Sequence, residues 1–282
     1  MTWKRISYTL LLGTGVAFAA CNNEEKKSEP ETATVTAPKE PKYREENVSY
    51  AGDNISMNGY VVYDENKEGI RPAVIVVPEW WGLNDYPKRR ARELAELGYI
   101  AIAIDMYGDG KVADNPDSAS KYATPFYKDP QMAKRRFDAA LAKLKTYSQA
   151  DTTKIAAIGY CFGGAQVLNM ARLGENLRGV VSFHGNLMGV PADKNTLKAA
   201  ILVCHGAADT FVSAGELASF KKEMDNVGAN YTFRAYEGAV HAFTNPAATE
   251  IGKKFKLNIA YNAAADSASW QDMKAFFGKI FQ

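Results

Sequence analysis

Short, almost unbroken apolar runs punctuate the chain from residue 73 onward. Residues 73–77, 100–104, 154–158, 179–183 and 201–204 are of this kind, and such runs read as strands buried on both faces. Between them the apolar positions recur at helical spacing. Residues 86–97 form one such pattern, closed by Gly98, and residues 131–147 form another, with Met132, Ala133, Phe137, Ala140, Leu141 and Leu144 on one face. Residues 165–173 read as a helix, and Ser213-Ala214-Gly215-Glu216 has the spacing of a capping box that opens a further one. Residues 231–236 read as a strand and residues 267–281 as a final helix. Ahead of this alternation, residues 47–63 alternate polar and apolar positions around Ala51-Gly52-Asp53-Asn54, the pattern of an antiparallel hairpin. The order predicts an α/β protein with a mostly parallel sheet covered by helices on both faces. No internal repeat is present.

The first forty residues follow a different rule. Lys4 and Arg5 precede an apolar stretch over residues 6–20, too short for an obvious membrane span and of the form of an export signal. Phe18-Ala19-Ala20-Cys21 resembles a bacterial lipobox, so cleavage before Cys21 and lipidation of that residue are expected. The alternative is ordinary secretion that leaves a free thiol. Residues 22–42 are rich in Asn, Glu, Lys, Ser, Thr, Ala and Pro, a composition that cannot bury enough apolar surface to order itself. The expected organisation is a signal peptide over 1–20, a lipidated cysteine and flexible tether over 21–42, and one domain over 43–282. That organisation predicts a lipid-anchored location in the bacterial cell envelope, periplasmic or surface-facing.

Charge narrows the partners. The chain carries 34 basic and 32 acidic residues, and loss of Lys4 and Arg5 with the signal would bring the two into balance. A near-neutral domain offers no electrostatic footing for nucleic acid. Of the three cysteines, Cys204 sits in an apolar run and reads as a buried core residue. A disulfide to Cys161 is disfavoured, since the two fall on different strands, one at an apex and one inside.

Candidate chemistry concentrates at Gly159-Tyr160-Cys161-Phe162-Gly163-Gly164. An apolar run precedes this segment and a helical pattern follows it, so it reads as a nucleophile elbow with cysteine at the apex, set against a helix N-terminus. Glycines two residues either side are expected because side chains there would collide across the bend. A cysteine so placed needs a base and a group to orient the base. Asp209 falls in the loop beyond the run ending at Cys204, and His241 just after the strand at 231–236. The order Cys161, Asp209, His241 is that of an α/β-hydrolase triad. His184 and His205, each followed by glycine at a strand end, read as structural or pocket-wall residues. Three scattered histidines show no metal-ligand spacing, and the expected chemistry needs no cofactor.

The segments at 159–164, His205-Gly206-Ala207-Ala208-Asp209 and His241-Ala242-Phe243 resemble the dienelactone hydrolase family of α/β-hydrolases, over roughly residues 47–282. Val77-Pro78-Glu79-Trp80-Trp81-Gly82-Leu83-Asn84 resembles the loop where that family places a glutamate beside the nucleophile. The resemblance implies that Glu79 holds the thiol and helps to form the thiolate. The backbone N–H groups of Phe162 and Trp80 are the expected oxyanion donors. Family members that act on dienelactone clamp its carboxylate with arginines, and the matching segments Met106-Tyr107-Gly108-Asp109-Gly110 and Thr244-Asn245 contain none.

Trp80, Trp81, Tyr107, Tyr160 and Phe162 therefore suggest a pocket for a small, neutral, partly apolar ester, lactone or thioester. The expected activity is hydrolysis through an acyl-enzyme by a monomer acting on small molecules. Acyl transfer would use the same motifs, and a tethered binding protein that has lost activity is the reading from another class.

Overall fold

A computed structural model describes residues 40–282. The signal expected over residues 1–20 and the lipidation expected at Cys21 lie outside the described residues. Among those described, no helix is long and apolar enough to cross a membrane.

The hairpin forms as expected, from β1 (Tyr43–Gly52) and β2 (Ile55–Asp64), paired antiparallel along their whole length. Asp53 and Asn54 make the turn with φ of 56° and 58°. Two left-handed residues in a two-residue loop match the right-handed twist of the strands, and short Asp and Asn side chains tolerate that backbone better than others. The remaining strands are β3 (Arg71–Val77), β4 (Ile100–Ala103), β5 (Ala150–Tyr160), β6 (Gly179–Phe183), β7 (Ala200–Gly206) and β8 (Tyr231–Tyr236). They form one eight-stranded sheet in the order β1-β2-β4-β3-β5-β6-β7-β8. β2 pairs antiparallel with β4, and every pairing from β4 to β8 is parallel.

Period-2 alternation distributes the strand side chains between two cores. β3 sends Ala73, Ile75 and Val77 to one face, where they meet Phe126, Phe137, Leu168 and Phe220. These come from α2 (Pro116–Lys128), α3 (Pro130–Leu144), α4 (Phe162–Arg172) and α5 (Ala214–Val227). Val74, Val76 and Ile158 face the other way, against Leu94 of α1 (Asp85–Glu96) and Phe277 of α7 (Ala263–Ile280). Because the central strands β3 to β7 are covered on both sides, their apolar segments lack the polar alternation seen in the hairpin.

Two helices were not anticipated from the pattern: α2 and α6 (Ala248–Phe255). α2 has a legible start, with Asn115 as cap accepting from the Ser118 amide at 2.9 Å and proline in the first turn. An internal Pro125 masks the rest of its periodicity. α6 is short and lacks a side-chain cap, so little in its sequence announces it. β5 begins four residues earlier than its apolar run, at Ala150.

The turn geometry sets a test. Asn54→Ala should cost about 1 kcal/mol, whereas Asn54→Gly should be neutral or stabilising, as read from urea denaturation midpoints at unchanged slope.

Candidate active site

β5 ends at Tyr160 and α4 begins at Phe162, so the chain reverses at one residue. Cys161 adopts φ 51° and ψ −115°, a backbone conformation that costs a non-glycine residue on the order of 1–3 kcal/mol and needs surrounding structure to hold it. The flanking glycines permit the close approach. A Cβ at Gly159 would lie 2.0 Å from the Gly163 carbonyl oxygen, and one at Gly163 would lie 2.2 Å from the Val77 carbonyl oxygen. Both obstacles are backbone, so neither can step aside. The steric reason for glycine at these positions is therefore met directly.

The two other members of the expected triad come together at the same strand ends. Asp209 follows β7; one carboxylate oxygen accepts from the Phe211 amide at 2.8 Å and the other from His241 Nδ1 at 2.8 Å. That second bond fixes the imidazole with Nε2 free to face the cavity that Cys161 and His241 both line. Burial by itself would push the His241 imidazolium below its ordinary value. The Cys161 sulfur and the Asp209 carboxylate outweigh burial and raise it to about 10. Cys161 is partly exposed and Cys204 is buried in β7, and both are free thiols. Burial pushes the Cys204 thiol up to about 12, which leaves it inert.

Glu79 is buried on the cavity wall. Its hydrogen bond comes from Asn245 Nδ2, at 2.7 Å, rather than from the thiol. Burial is the largest influence on its carboxyl and raises it to about 7, against smaller opposing effects of Asn245, His241 and Arg90. The amides of Phe162 and Trp80 donate to no backbone or side-chain acceptor among the described residues. Phe162 is the first residue of a buried helix, where an unpaired N–H is expected.

The cavity holds ≈ 230 Å³. Trp80, Trp81, Phe211, Leu257 and Ile259 give it an apolar wall, α2 adds Ser120, Ala123, Thr124 and Tyr127, and no basic residue other than His241 lines it. Three aromatic residues expected in this pocket are elsewhere, among them Phe162, whose ring is buried in the core against Tyr107 and Phe126. Tyr160 is wholly buried in the opposite core, stacked on Phe183 at 4.8 Å between centroids. Alternation along β5 turns it to the α1 and α7 face, one residue before the chain reverses. Tyr107 lies behind the wall, where its hydroxyl donates to the Trp80 carbonyl at 2.8 Å. It supports the loop and does not line the cavity. Trp81 does line it, stacked on Phe255 of α6.

Pattern reading missed the contribution of α2, the wall residues Phe211, Leu257 and Ile259, and Asn245. The only sequence signal for α2 is its Asn-Pro start. Asn245 carries none, because its role arises from a contact 166 positions away. His184 was read as structural; it accepts the Cys161 N–H at its Nδ1, 3.1 Å away, while the same N–H also faces the Phe183 carbonyl at 2.9 Å.

Comparison with known proteins agrees with this architecture. The profile of the dienelactone hydrolase family matches residues 57–281. The crystal structure of P91, a dienelactone hydrolase-like promiscuous phosphotriesterase from metagenomic libraries, is 37% identical, with a TM-score of 0.80 over 85% of this chain and 99% of that one. A structure named m3DLH is 32% identical, with the same TM-score and the same coverage of both chains. Protein usf of Aquifex pyrophilus is 29% identical over 222 residues, 76% of this chain and 94% of the relative. The fold is that of the α/β-hydrolases, and the chain belongs to the dienelactone hydrolase family. It is accordingly an enzyme of the carboxylic ester hydrolase class.

Two outcomes follow from the elbow and the buried acid. Gly163→Ala should destabilise the domain by more than about 3 kcal/mol or prevent folding, since a Cβ would meet backbone, and denaturation or soluble yield checks this. For Glu79, the carboxyl retains its proton in the folded state up to about pH 7, whereas the unfolded chain releases it near 4.5. Folding stability from this group is therefore full below about 4.5 and lost as pH rises to 7, by roughly 3 kcal/mol at most. Glu79→Gln should gain stability relative to the parent between pH 4.5 and pH 8, as measured by denaturation at both.

Proposed function

We propose that this enzyme hydrolyses a small, uncharged ester, lactone or thioester through a Cys161-His241-Asp209 triad and an acyl-enzyme. The observation that carries the reading is a thiol at a strained elbow that shares one cavity with an imidazole bonded to a buried carboxylate. The high imidazolium value of His241 favours a proton on that ring, the form that can protonate a leaving group.

In the first half-reaction the Cys161 sulfur attacks the acyl carbon, a C–S bond forms, and the carbonyl electron pair moves to oxygen. The Phe162 and Trp80 amides donate to that oxyanion, each contributing roughly 10²–10³ in rate. Collapse breaks the bond to the leaving group, which takes the proton from His241 Nε2. In the second half a water gives its proton to His241 and attacks the thioester. The C–S bond then breaks and the thiolate is restored. Asp209 holds the imidazole in the tautomer this requires. With its carboxyl raised to about 7, Glu79 is only partly ionised near neutrality and places less competing negative charge in the site than an ordinary carboxylate would.

An uncharged substrate is favoured because the cavity wall is mainly apolar and holds no arginine or lysine. Desolvating a carboxylate there would go uncompensated. P91 is described as a promiscuous phosphotriesterase, and neutral phosphotriesters are a further class that this cavity could admit. We also propose a monomer in the bacterial cell envelope, tethered through a lipidated Cys21; the pattern of residues 1–21 supports the anchor and the location.

Steady-state hydrolysis of matched esters tests the reading. A neutral aryl ester should be turned over with kcat/KM at least tenfold above its carboxylate-bearing analogue, and Cys161→Ala should lower turnover by at least about 10³. A preference for the carboxylated ester, or undiminished turnover in Cys161→Ala, would refute it.

A further inference from the structure

Behind the elbow lies a buried polar chain that the triad chemistry does not use. His184, at the end of β6, is fully buried and has a φ of 43°. Its amide donates to the Cys204 carbonyl at 2.8 Å, which locks the residue against β7. Its ring makes two bonds. Nδ1 lies 3.1 Å from the Cys161 amide nitrogen, and Nε2 lies 2.7 Å from Thr244 Oγ1. A backbone N–H can only donate, so Nδ1 must be the bare nitrogen and Nε2 must carry the hydrogen. Thr244 Oγ1 in turn sits 2.6 Å from the Tyr86 hydroxyl, and the Thr244 carbonyl accepts from Arg90 Nη2 at 2.8 Å. Arg90 is buried and paired with Asp266 of α7.

The chain links two parts of the site that must keep register. Cys161 is on the elbow. Thr244 is three residues beyond His241, on the loop that carries the base. We propose that His184 is a positioning residue whose neutral Nε2–H tautomer, fixed by Thr244, sets the strained elbow at Cys161 and ties it to the His241 loop.

Two features favour this over simple core packing. A left-handed residue at Cys161 is held only if its backbone groups are over-determined, and His184 supplies one of the two acceptors for its N–H. The ring also stands 5.3 Å from that of His241. Burial first, then the charges of His241 and Arg90, keep His184 well below the ordinary histidine range. It therefore remains a lone-pair acceptor beside a base that carries a proton.

The inference rests on Cys161 as nucleophile, and its test separates the two claims. Thr244→Val keeps the branched shape and removes the hydroxyl, whereas Thr244→Ser keeps the hydroxyl. For hydrolysis of an activated neutral ester, Thr244→Val should lower kcat about 10–100-fold with KM within about twofold, while Thr244→Ser stays within about threefold of the parent. His184→Asn, whose side-chain oxygen can stand in for Nδ1 and which tolerates a positive φ, should retain more kcat than His184→Gln. Long-range ¹H–¹⁵N spectra of the parent at pH 7 should show Nδ1 bare and Nε2 protonated. An Nδ1–H or doubly protonated ring, or equal kcat in the Thr244 pair, would overturn the positioning role. Undiminished turnover in Cys161→Ala would instead remove the premise, leaving the tautomer result standing by itself.

Discussion

The close approach of three backbone segments at the elbow is the constraint on which the rest of the site depends. The end of β5, the start of α4 and the end of β3 meet so tightly that the two flanking glycines leave no room for a methyl group. That contact brings Cys161 to the top of the sheet with its side chain at the cavity and leaves the Phe162 N–H unpaired. It also stores strain at a non-glycine residue, which the surrounding hydrogen bonds must hold. The two-sided burial of β3, β5 and β6 supplies the rigid frame, because a sheet packed between helices on both faces cannot flex to relieve the turn. The site is thus a consequence of the sheet's depth of burial as much as of the side chains gathered at its edge.

Around this fixed point the electrostatics divide the labour. Asp209 is buried and fully engaged, with one oxygen for the Phe211 amide and one for His241. His241 retains its proton because of its neighbours and in spite of its burial. Glu79, equally buried, moves the opposite way in charge, burial raising its carboxyl to about 7 so that it is neutral below that pH. Similar burial produces different outcomes because His241 faces negative groups, while Glu79 has only an amide donor and weaker, more distant positive ones. A second histidine, His184, lies behind the elbow and is kept neutral first by its burial and then by the charges of His241 and Arg90.

Much of this was legible in the sequence, for identifiable reasons. The strands that matter are buried on both faces, so they are written as apolar runs, and the elbow glycines are required by sterics that any chain would face. The order of Cys161, Asp209 and His241, after β5, β7 and β8, follows from the topology. Tyr160 was misplaced because closeness in sequence to Cys161 does not give the face of the strand; alternation puts it in the opposite core. Tyr107 is near the cavity but is used for its hydroxyl, which only a tertiary contact to Trp80 could show. The wall formed by α2 was lost behind an internal proline, and Asn245 and Thr244 acquire roles only through partners far along the chain.

The central claim is that Cys161 carries the acyl group, and its most direct measurement is intact-mass analysis after millisecond mixing of the full domain with an activated neutral ester, followed by peptide mapping. The account requires one acyl group per chain, located on the peptide containing Cys161 and decaying at the rate of product release. An adduct on Cys204 or another residue, or turnover with no acyl species during an otherwise rate-limiting deacylation, would contradict it.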